Sequence, residues 1–385
     1  MAQVDKIYKQ LLEAIPRGYK YIDLSRDVEC TQMSNVQLSL DLVTMPFITT
    51  KKLYHKSVIT ELLWFLKGDT NIKYLLDNGC NIWNDDAYNA YKRACEYCDL
   101  ENDLSLEDFL VKVRIGKPTM YSDYPYYGDV GRNYSAQWRD WRGVDAGGNI
   151  VHIDQISELF ENLRKKKISR RHIVTAWNPA EISQTALPPC HWAWEVIPKP
   201  LRNHEKIEIL VKQQGADEIY LNTLWKESTR VTTEPEAQVK VLEATAVLEA
   251  ELSVEPSHGF TLKWHQRSTD TFLGLPFNAA SYGVLAVFIQ AVTDMQGLEI
   301  IGDLSNVHLY ANSLEMAKKQ AERNTSTYEG CGLTFSPELQ QFIQDYKDGI
   351  LTISGLIEMM QPEDFIVQQY NSHGPLKVEM LAPKE

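Results

Sequence analysis

The amino-acid sequence predicts a mixed α+β fold. Helical and extended segments both recur along the chain, but they lack the regular strand–helix alternation of a doubly wound sheet. Hydrophobic residues make up 44% of the 385 residues, which is enough for a sizeable core. By length alone, the chain could hold two or three domains, or one large domain with insertions.

Three helices are predicted from the spacing of apolar residues. Residues 54–66 carry apolar side chains at helical intervals, and Gly68 is expected to end this helix. Residues 155–165 form an amphipathic pattern with basic residues at its end, where they suit the helix dipole. A long and mostly apolar helix is expected over residues 279–295.

Extended segments supply the β part of the fold, and two other stretches interrupt these patterns. About residues 88–128 are rich in tyrosine and acidic residues, and about residues 199–258 contain a helix-start pattern at 233–236. The segment that follows 233–236 is compatible with either a helix or a strand. The predicted strands cover residues 172–177, 191–197, 207–211, 260–266 and 307–310.

Composition excludes several classes of protein. The net charge of −13 argues against a general nucleic-acid-binding protein, which normally presents a basic surface. Residues 1–16 lack the features of a secretion signal, and no apolar run predicts a membrane span. Six cysteines are too few for a disulfide scaffold, so we expect free thiols and a cytoplasmic protein. Cys95 and Cys98 lack the second pair that a zinc site requires, and no metal is expected.

The motif LPPCH at residues 187–191 is the strongest chemical signal in the chain. The two prolines restrict the backbone and hold Cys190 in one direction, as a nucleophile requires. Taken alone, the motif favours a buried and inert cysteine, and the rest of the chain reverses that balance. Glu61 is a second candidate, because a carboxylate on the apolar face of a helix is costly unless it is hydrogen-bonded or functional. A glutamate that reaches solvent at the helix edge is the alternative.

Taken together, four segments resemble the thymidylate synthases and the related pyrimidine-nucleotide hydroxymethylases. They are ELLWFLKGDTNI at 61–72 with NIW at 81–83, SRRHIVTAWN at 169–178, LPPCH at 187–191, and QRSTDTFLGLPFN at 266–278 with HLY at 308–310. The resemblance implies one catalytic domain over residues 1–385, with insertions at about 88–128 and 199–258. It also implies a mixed β-sheet with packed helices, in which one sheet face forms a homodimer interface.

The resemblance assigns the substrate dUMP to a set of arginines and polar side chains. Planar guanidinium groups suit a nucleotide phosphate, and the resemblance implies that Arg170 and Arg171 come from the partner subunit. Asn278 favours dUMP over dCMP, because the cytosine-specific relatives carry an aspartate at this position. The substrate-binding residues implied in this way are Arg26, Arg170, Arg171, Gln266, Arg267, Ser268, Asn278, His308 and Tyr310.

A mechanism follows from the same resemblance. Cys190 adds to carbon 6 of the uracil, carbon 5 takes the methylene group of 5,10-methylenetetrahydrofolate, and nearby arginines help to lower the pKa of the thiol. Glu61 relays protons through ordered water with Tyr134 nearby, and His191 completes the catalytic set. The folate-binding residues implied are Trp83, Asp270 and Gly274.

Several positions depart from the synthase pattern. Residues 27–33 replace a phosphate loop rich in glycine and threonine, and the resemblance matches Arg26 to the arginine of that loop. Residues 131–135 read GRNYS where the family has Gly-Pro-Val-Tyr-Gly. Glu195 replaces a glutamine, and Asn306 replaces an aspartate.

The departures bear on the product of the reaction. Residues 381–385 run past the expected end of the tail whose carboxylate closes over the folate in synthases, and a looser lid would admit water. We therefore expect a deoxyuridylate hydroxymethylase, which would suit a virus with 5-hydroxymethyluracil in its DNA and would act in the host cytoplasm. A thymidylate synthase that finishes by hydride transfer is the alternative, and a catalytically silent nucleotide-binding relative is a third hypothesis.

Overall fold

The structure, a computed structural model of the chain, describes residues 2–24, 26–99, 104–119, 126–165, 168–214, 216–253 and 256–378. The helices are α1 (Gln3–Ala14), α2 (His55–Lys67), α3 (Lys73–Asp77), α4 (Asn84–Tyr97), α5 (Leu106–Arg114), α6 (Tyr134–Arg139), α7 (Gln155–Lys165), α8 (Asn203–Gln214), α9 (Glu218–Ser228), α10 (Pro235–Glu251), α11 (Gly274–Thr293), α12 (Leu314–Glu322), α13 (Pro337–Lys347) and α14 (Ile353–Met359). The strands are β1 (Tyr19–Asp23), β2 (Val28–Asp41), β3 (Trp141–Val144), β4 (Ile150–Ile153), β5 (Ile173–Thr175), β6 (His191–Pro200), β7 (His258–Gln266), β8 (Thr269–Asp270), β9 (Gln296–Tyr310), β10 (Gly332–Phe335) and β11 (Phe365–Gln368).

A seven-stranded mixed sheet organises the fold and confirms the α+β prediction. Its strand order is β1-β2-β9-β7-β6-β5, with β8 beside β9. Strand β9 pairs parallel with β7 and β8 and antiparallel with β2. Two short hairpins, β3–β4 and β10–β11, lie outside this sheet. The parallel pairing of β7 with β9 requires a crossover, and α11 makes it.

Helix α11 forms the centre of the core against β7 and β9, and α2, α7 and α13 pack on it. Most of its residues are buried. It is long and apolar enough to cross a membrane by those two criteria alone, and 72% of its most apolar window is buried inside the protein. This burial is what the central helix of a large core shows.

The two faces of the main sheet differ in polarity. Leu262 and Trp264 of β7 point into the core and are fully buried. The alternate residues point the other way, where His265 Nε2 lies 3.2 Å from Glu195 and Nδ1 lies 3.3 Å from Asp303. The homodimer interface expected on a sheet face remains a prediction.

Most of the predicted elements are confirmed, and one is wrong. The helices expected over 54–66, 155–165 and 279–295 correspond to α2, α7 and α11. Gly68 ends α2 in the left-handed conformation, with a φ of 75°. The strand expected over 207–211 is instead part of α8, because Ile207 and Leu210 pack at helical spacing against α9 and α10.

The two inserted stretches are mostly helical. In the first, rings from α4 and α5 and the following loop form an aromatic cluster, which accounts for the tyrosine-rich composition. In the second, α8, α9 and α10 share a small core of their own. The segment after 233–236 is helix α10, which begins at Pro235 without a side-chain cap. That these stretches interrupt one catalytic domain remains a prediction.

A β-bulge lies at the start of β6. The pairing of β6 with β7 shifts register between His191 and Ala193. Ala193 and Trp194 are therefore both buried, although strict alternation would expose one of them. The bulge lets His191 point into the core while the rest of β6 keeps its register in the sheet.

Candidate active site

The LPPCH motif forms the turn that enters β6, and hydrogen bonds hold Cys190 from two sides. The backbone N–H of Cys190 donates to the hydroxyl of Tyr134 over 2.7 Å, and its carbonyl accepts from the backbone N–H of Arg267 over 2.9 Å. The guanidinium of Arg267 also donates to the carbonyls of Pro188 and Pro189, both over 2.9 Å. These bonds reinforce the stiffness that the two prolines predict.

Burial dominates the acidity of the Cys190 thiol and raises its pKa. Arg267 and Arg26 act in the opposite direction, because a nearby positive charge favours the thiolate. The prediction that arginines lower this pKa is correct in direction. The net change in the single chain is nevertheless upward, because the cost of desolvating the thiolate is larger.

Glu61 projects from α2 into the interior, where Trp83 Nε1 donates to its Oε1 over 2.6 Å. Burial raises the pKa of Glu61 to about 7, although the hydrogen bond from Trp83 acts to lower it. Trp83 is itself buried, and its ring packs against Trp64 and Tyr134. A carboxyl group that titrates near neutral pH can both accept and donate a proton, as the predicted relay requires.

Tyr134 and His191 form an aromatic layer beside Cys190, with ring centroids 4.3 Å apart. Nδ1 of His191 lies 2.9 Å from the hydroxyl of Tyr282. Burial lowers the pKa of His191 to about 3, so its imidazole is neutral at physiological pH. Burial also raises the pKa of Tyr134 well above its usual value, so this group is a neutral phenol. His191 therefore lies next to Cys190 as a neutral hydrogen-bonding group.

The side-chain amide of Asn278 has a defined orientation. The indole N–H of Trp264, which can only donate, bonds to Gln266 Oε1 over 3.1 Å. Gln266 Nε2 then donates to Asn278 Oδ1 over 3.0 Å and to the carbonyl of Ser268 over 2.9 Å. Nδ2 of Asn278 has no partner among the described residues, so it is available to donate to a ligand.

His308 and Tyr310 lie at the end of β9, with ring centroids 5.0 Å apart, and both are buried. Arg26, from the turn between β1 and β2, lies over the ring of Tyr310 at 5.4 Å. Its charge acts on both Cys190 and His308. The structure thus brings together these three residues that the resemblance assigns to the nucleotide.

Asp270 and Gly274 lie where β8 leads into α11. Oδ1 of Asp270 accepts from the backbone N–H groups of Phe272 and Leu273, over 2.9 and 3.1 Å. Its Oδ2 has no hydrogen bond to any described residue and can accept one from a ligand. A Cβ atom on Gly274 would lie 3.8 Å from Asn278 Oδ1 and from Asp270 Cβ, so this glycine leaves space between the two side chains.

Arg170 and Arg171 are not brought to Cys190 by this chain. Both are exposed on the segment before β5, at the edge of the main sheet. An edge position is compatible with reaching a partner subunit, and this assignment remains a prediction.

Three polar residues of this region escaped the sequence analysis. Asp86 on α4 is close enough to influence Cys190, and burial raises its pKa to about 6. Arg93, further along α4, donates to the carbonyl just before the LPPCH motif over 2.9 Å. Lys51 donates to the carbonyl of Phe272, and burial lowers its pKa to about 8. Nothing in the types or spacing of these three residues marks them in the sequence as site residues. They are recognised only because the folded chain places them near one of the motifs.

Two other expectations concern regions away from this cluster. Residues 381–385, on which the looser lid depends, lie outside the described residues. Cys95 is buried and Cys98 is exposed. Across the described ranges, no three histidine, cysteine, aspartate or glutamate side chains form a group that could hold a metal ion.

Comparison with known proteins identifies the family. The family model described as Thymidylate synthase matches residues 6–225 and 236–382. The thymidylate synthase of Mycoplasma mobile is 34% identical over 278 residues, which are 72% of this chain and 71% of that protein. The thymidylate synthase of Malacoplasma penetrans is 30% identical over 373 residues, which are 97% of this chain and 98% of that protein. The chain belongs to the thymidylate synthase family.

Proposed function

We propose that this chain transfers a one-carbon unit to carbon 5 of dUMP and finishes by hydride transfer, which gives dTMP and dihydrofolate. The arrangement that carries the substrate assignment is the oriented Asn278 amide beside the Cys190 turn. The relatives reported above are all named thymidylate synthase, and one of them matches 97% of the chain. This breadth favours the synthase reaction over the hydroxymethylase that the sequence departures led us to expect.

The hydrogen bonds of Asn278 support selection of uracil over cytosine. Its Nδ2 can donate to the carbonyl at carbon 4 of uracil, while Oδ1 keeps a second lone pair for the ring N–H. Cytosine presents an amino group at carbon 4, and two donors would then face each other. Because Trp264 and Gln266 hold the amide in one orientation, it cannot turn over to accommodate cytosine without breaking those bonds.

In the proposed reaction, Cys190 attacks carbon 6 of the uracil as a thiolate. Arg267 and Arg26 favour the thiolate. The negative charge that develops on the carbon 4 carbonyl is stabilised by the N–H of Asn278. Glu61 moves protons to and from the base through ordered water, at a pKa of about 7.

The residues present fit the family's one-carbon donor, 5,10-methylenetetrahydrofolate. The unpaired Oδ2 of Asp270 can accept hydrogen bonds from the pterin, and Gly274 leaves room beside it. The bound folate supplies the methylene group and the hydride that reduces it. Trp83 lies next to Glu61 and provides an aromatic wall on this side of the site.

We also propose a homodimer in which Arg170 and Arg171 bind the phosphate held by the other subunit. Two observations support it, namely the exposure of both arginines at the edge of the main sheet and the charged open face of that sheet. All six cysteines are free, which is compatible with a reducing compartment such as the cytoplasm.

Deoxyuridylate hydroxymethylation is a second candidate, because one observation favours it. Asn133 and Ser135 flank Tyr134 at positions where the family carries valine and glycine. Both side chains are fully buried, and their polar atoms have no partner among the described residues. Buried polar groups usually bind ordered water, and water beside the nucleophile is the reagent that hydroxymethylation requires.

The product formed from dUMP and methylenetetrahydrofolate tests both candidates. A methyl product accompanied by dihydrofolate supports the synthase, and a hydroxymethyl product with tetrahydrofolate would replace it with the second candidate. If neither forms, and the carbon 5 hydrogen of dUMP does not exchange with solvent, the chain is a silent nucleotide-binding relative. Cys190→Ser is the control, because it should abolish every product and the exchange.

Asn278→Asp tests the assignment of the base. A carboxylate accepts from the amino group of cytosine and repels the carbonyl of uracil, so kcat/KM should shift toward dCMP by about 100-fold or more. Asn203→Asp, on the exposed start of α8, is the matched control and should change nothing. An unchanged preference in Asn278→Asp would contradict the assignment.

A further inference from the structure

We propose that Gln32 and Asn306 form a hydrogen-bonded pair that holds His308 as the neutral Nδ1–H tautomer, so that its Nε2 accepts a hydrogen bond from the deoxyribose 3′-hydroxyl. The role of the pair is positional, since it acts through His308. The inference rests on the proposed binding of dUMP and adds a requirement for a substrate group that can donate at the 3′ position.

The hydrogen bond between Gln32 and Asn306 joins two positions at which this chain departs from the family pattern. Gln32 belongs to the segment 27–33 that replaces the phosphate loop, and Asn306 replaces an aspartate. The two residues come from adjacent strands, β2 and β9, and Asn306 Nδ2 donates to Gln32 Oε1 over 2.5 Å. Oδ1 of Asn306 then lies 2.9 Å from Nδ1 of His308.

A backbone carbonyl fixes the direction of this chain of hydrogen bonds. Nδ1 of His308 also lies 3.3 Å from the carbonyl oxygen of Asn306, which can only accept. Nδ1 must therefore carry the proton, and the side-chain oxygen of Asn306 rather than its nitrogen must face the ring. With both contacts satisfied, Nε2 is left as the acceptor.

The charges around His308 do not force it into the cationic form. Asp270 on β8 and Asp23 at the end of β1 favour the imidazolium, whereas Arg26 in the β1–β2 turn disfavours it. Burial has the largest effect and lowers the pKa of His308. The aspartate that other family members carry at position 306 would add a full negative charge beside Nδ1 and favour the cation. Asn306 keeps the hydrogen bond and omits that charge.

The consequence is a polarity requirement at the sugar. A neutral Nε2 accepts from a hydroxyl, so a nucleotide with a 3′-hydroxyl should bind better than one that cannot donate there. An imidazolium would instead donate a hydrogen bond from Nε2. It would therefore also bind a nucleotide that carries only an acceptor, such as an oxygen or a fluorine, at this position. The pair formed by Gln32 and Asn306 therefore decides whether Nε2 of His308 accepts a hydrogen bond from the 3′ substituent or donates one to it.

Nitrogen NMR of His308 in the ligand-free protein tests the tautomer directly. The wild type and Gln32→Glu should both show a protonated Nδ1, because a carboxylate preserves the acceptor that Asn306 requires. Gln32→Leu should show mixed tautomers, and Asn306→Asp should show both ring nitrogens protonated at pH 7. A protonated Nε2 in the wild type, or an unchanged spectrum in Gln32→Leu, would overturn the proposal.

Binding measurements test the consequence for substrate choice. The wild type should bind dUMP about three- to tenfold more tightly than 2′,3′-dideoxyuridine monophosphate, as expected for one neutral hydrogen bond. Gln32→Leu should erase this ratio and Gln32→Glu should keep it, while Gln37→Leu on the exposed part of β2 is the matched control. Equal ratios in wild type and Gln32→Leu would refute the selection. If dUMP does not bind at all, the proposed function fails, whereas the NMR result still decides the tautomer.

Discussion

Replacing Glu61 by glutamine is expected to stabilise the fold while it removes most of the activity. The folded chain holds Glu61 with a pKa of about 7, against its ordinary value of 4.5, because burial disfavours the carboxylate. The protonated side chain of Glu61 therefore stabilises the fold fully below pH 4.5, and this stabilisation is lost as the pH rises through 7. Glutamine carries no charge at either pH and can still accept the N–H of Trp83.

The size of the effect follows from the two pKa values. The difference between about 7 and 4.5, at about 1.36 kcal/mol per pH unit, corresponds to about 3 kcal/mol. Glu61→Gln should thus match the wild type near pH 4 and exceed its free energy of unfolding by up to about 3 kcal/mol at pH 8. The same change should lower kcat by about 10²- to 10⁴-fold, because the proposed proton relay is lost.

Urea denaturation at several pH values, at one fixed protein concentration, measures the stability difference. Glu315→Gln on the exposed face of α12 is the control, and its midpoint should follow the wild type throughout. If Glu61→Gln is no more stable than the wild type at pH 8, Glu61 is not a buried carboxyl group that ionises at a cost. If it keeps full activity, it is not the proton relay.

Three further changes separate the parts of the site and the fold. Trp83→Phe removes the donor to ionised Glu61, so the apparent pKa in the pH–rate profile should rise by about one pH unit, and an unmoved profile would contradict the hydrogen bond. Gly274→Ala places a methyl group between the proposed base and folate sites, so the KM for folate should rise about tenfold in steady-state assays without a change in Tm, and an unchanged KM would place the folate elsewhere. Leu248→Ala should destabilise the core of α8, α9 and α10 by about 2–5 kcal/mol and speed hydrogen exchange there alone, with turnover unchanged, and lost turnover would show that this core supports the site.

Local chemistry explains why much of the fold could be predicted. Apolar spacing and the Gly68 stop define α2 within a residue or two, and the apolar run of α11 defines most of that helix. The prediction of a strand at residues 207–211 was wrong because a short aliphatic run fits a strand or a buried helix equally well. Only contacts with α9 and α10, which are distant in sequence, decide between them.

The candidate site divides in the same way. Cys190, Glu61 and Asn278 could be named from the sequence as candidate site residues, because each stands in a motif. The direction of an amide could not, since it depends on which atom a neighbouring strand presents. Trp264 sets the Asn278 amide in this manner, and a backbone carbonyl sets His308.

Helix α11 has a consequence for how the protein loses activity on heating. Its first five residues include Gly274 and Asn278, and most of the residues that follow are buried in the core. The side chain that we propose recognises the base, Asn278, is therefore attached to the element that should open last. Thermal inactivation should coincide with melting of the whole molecule, so residual activity after a heat pulse reports directly on how many molecules remain folded.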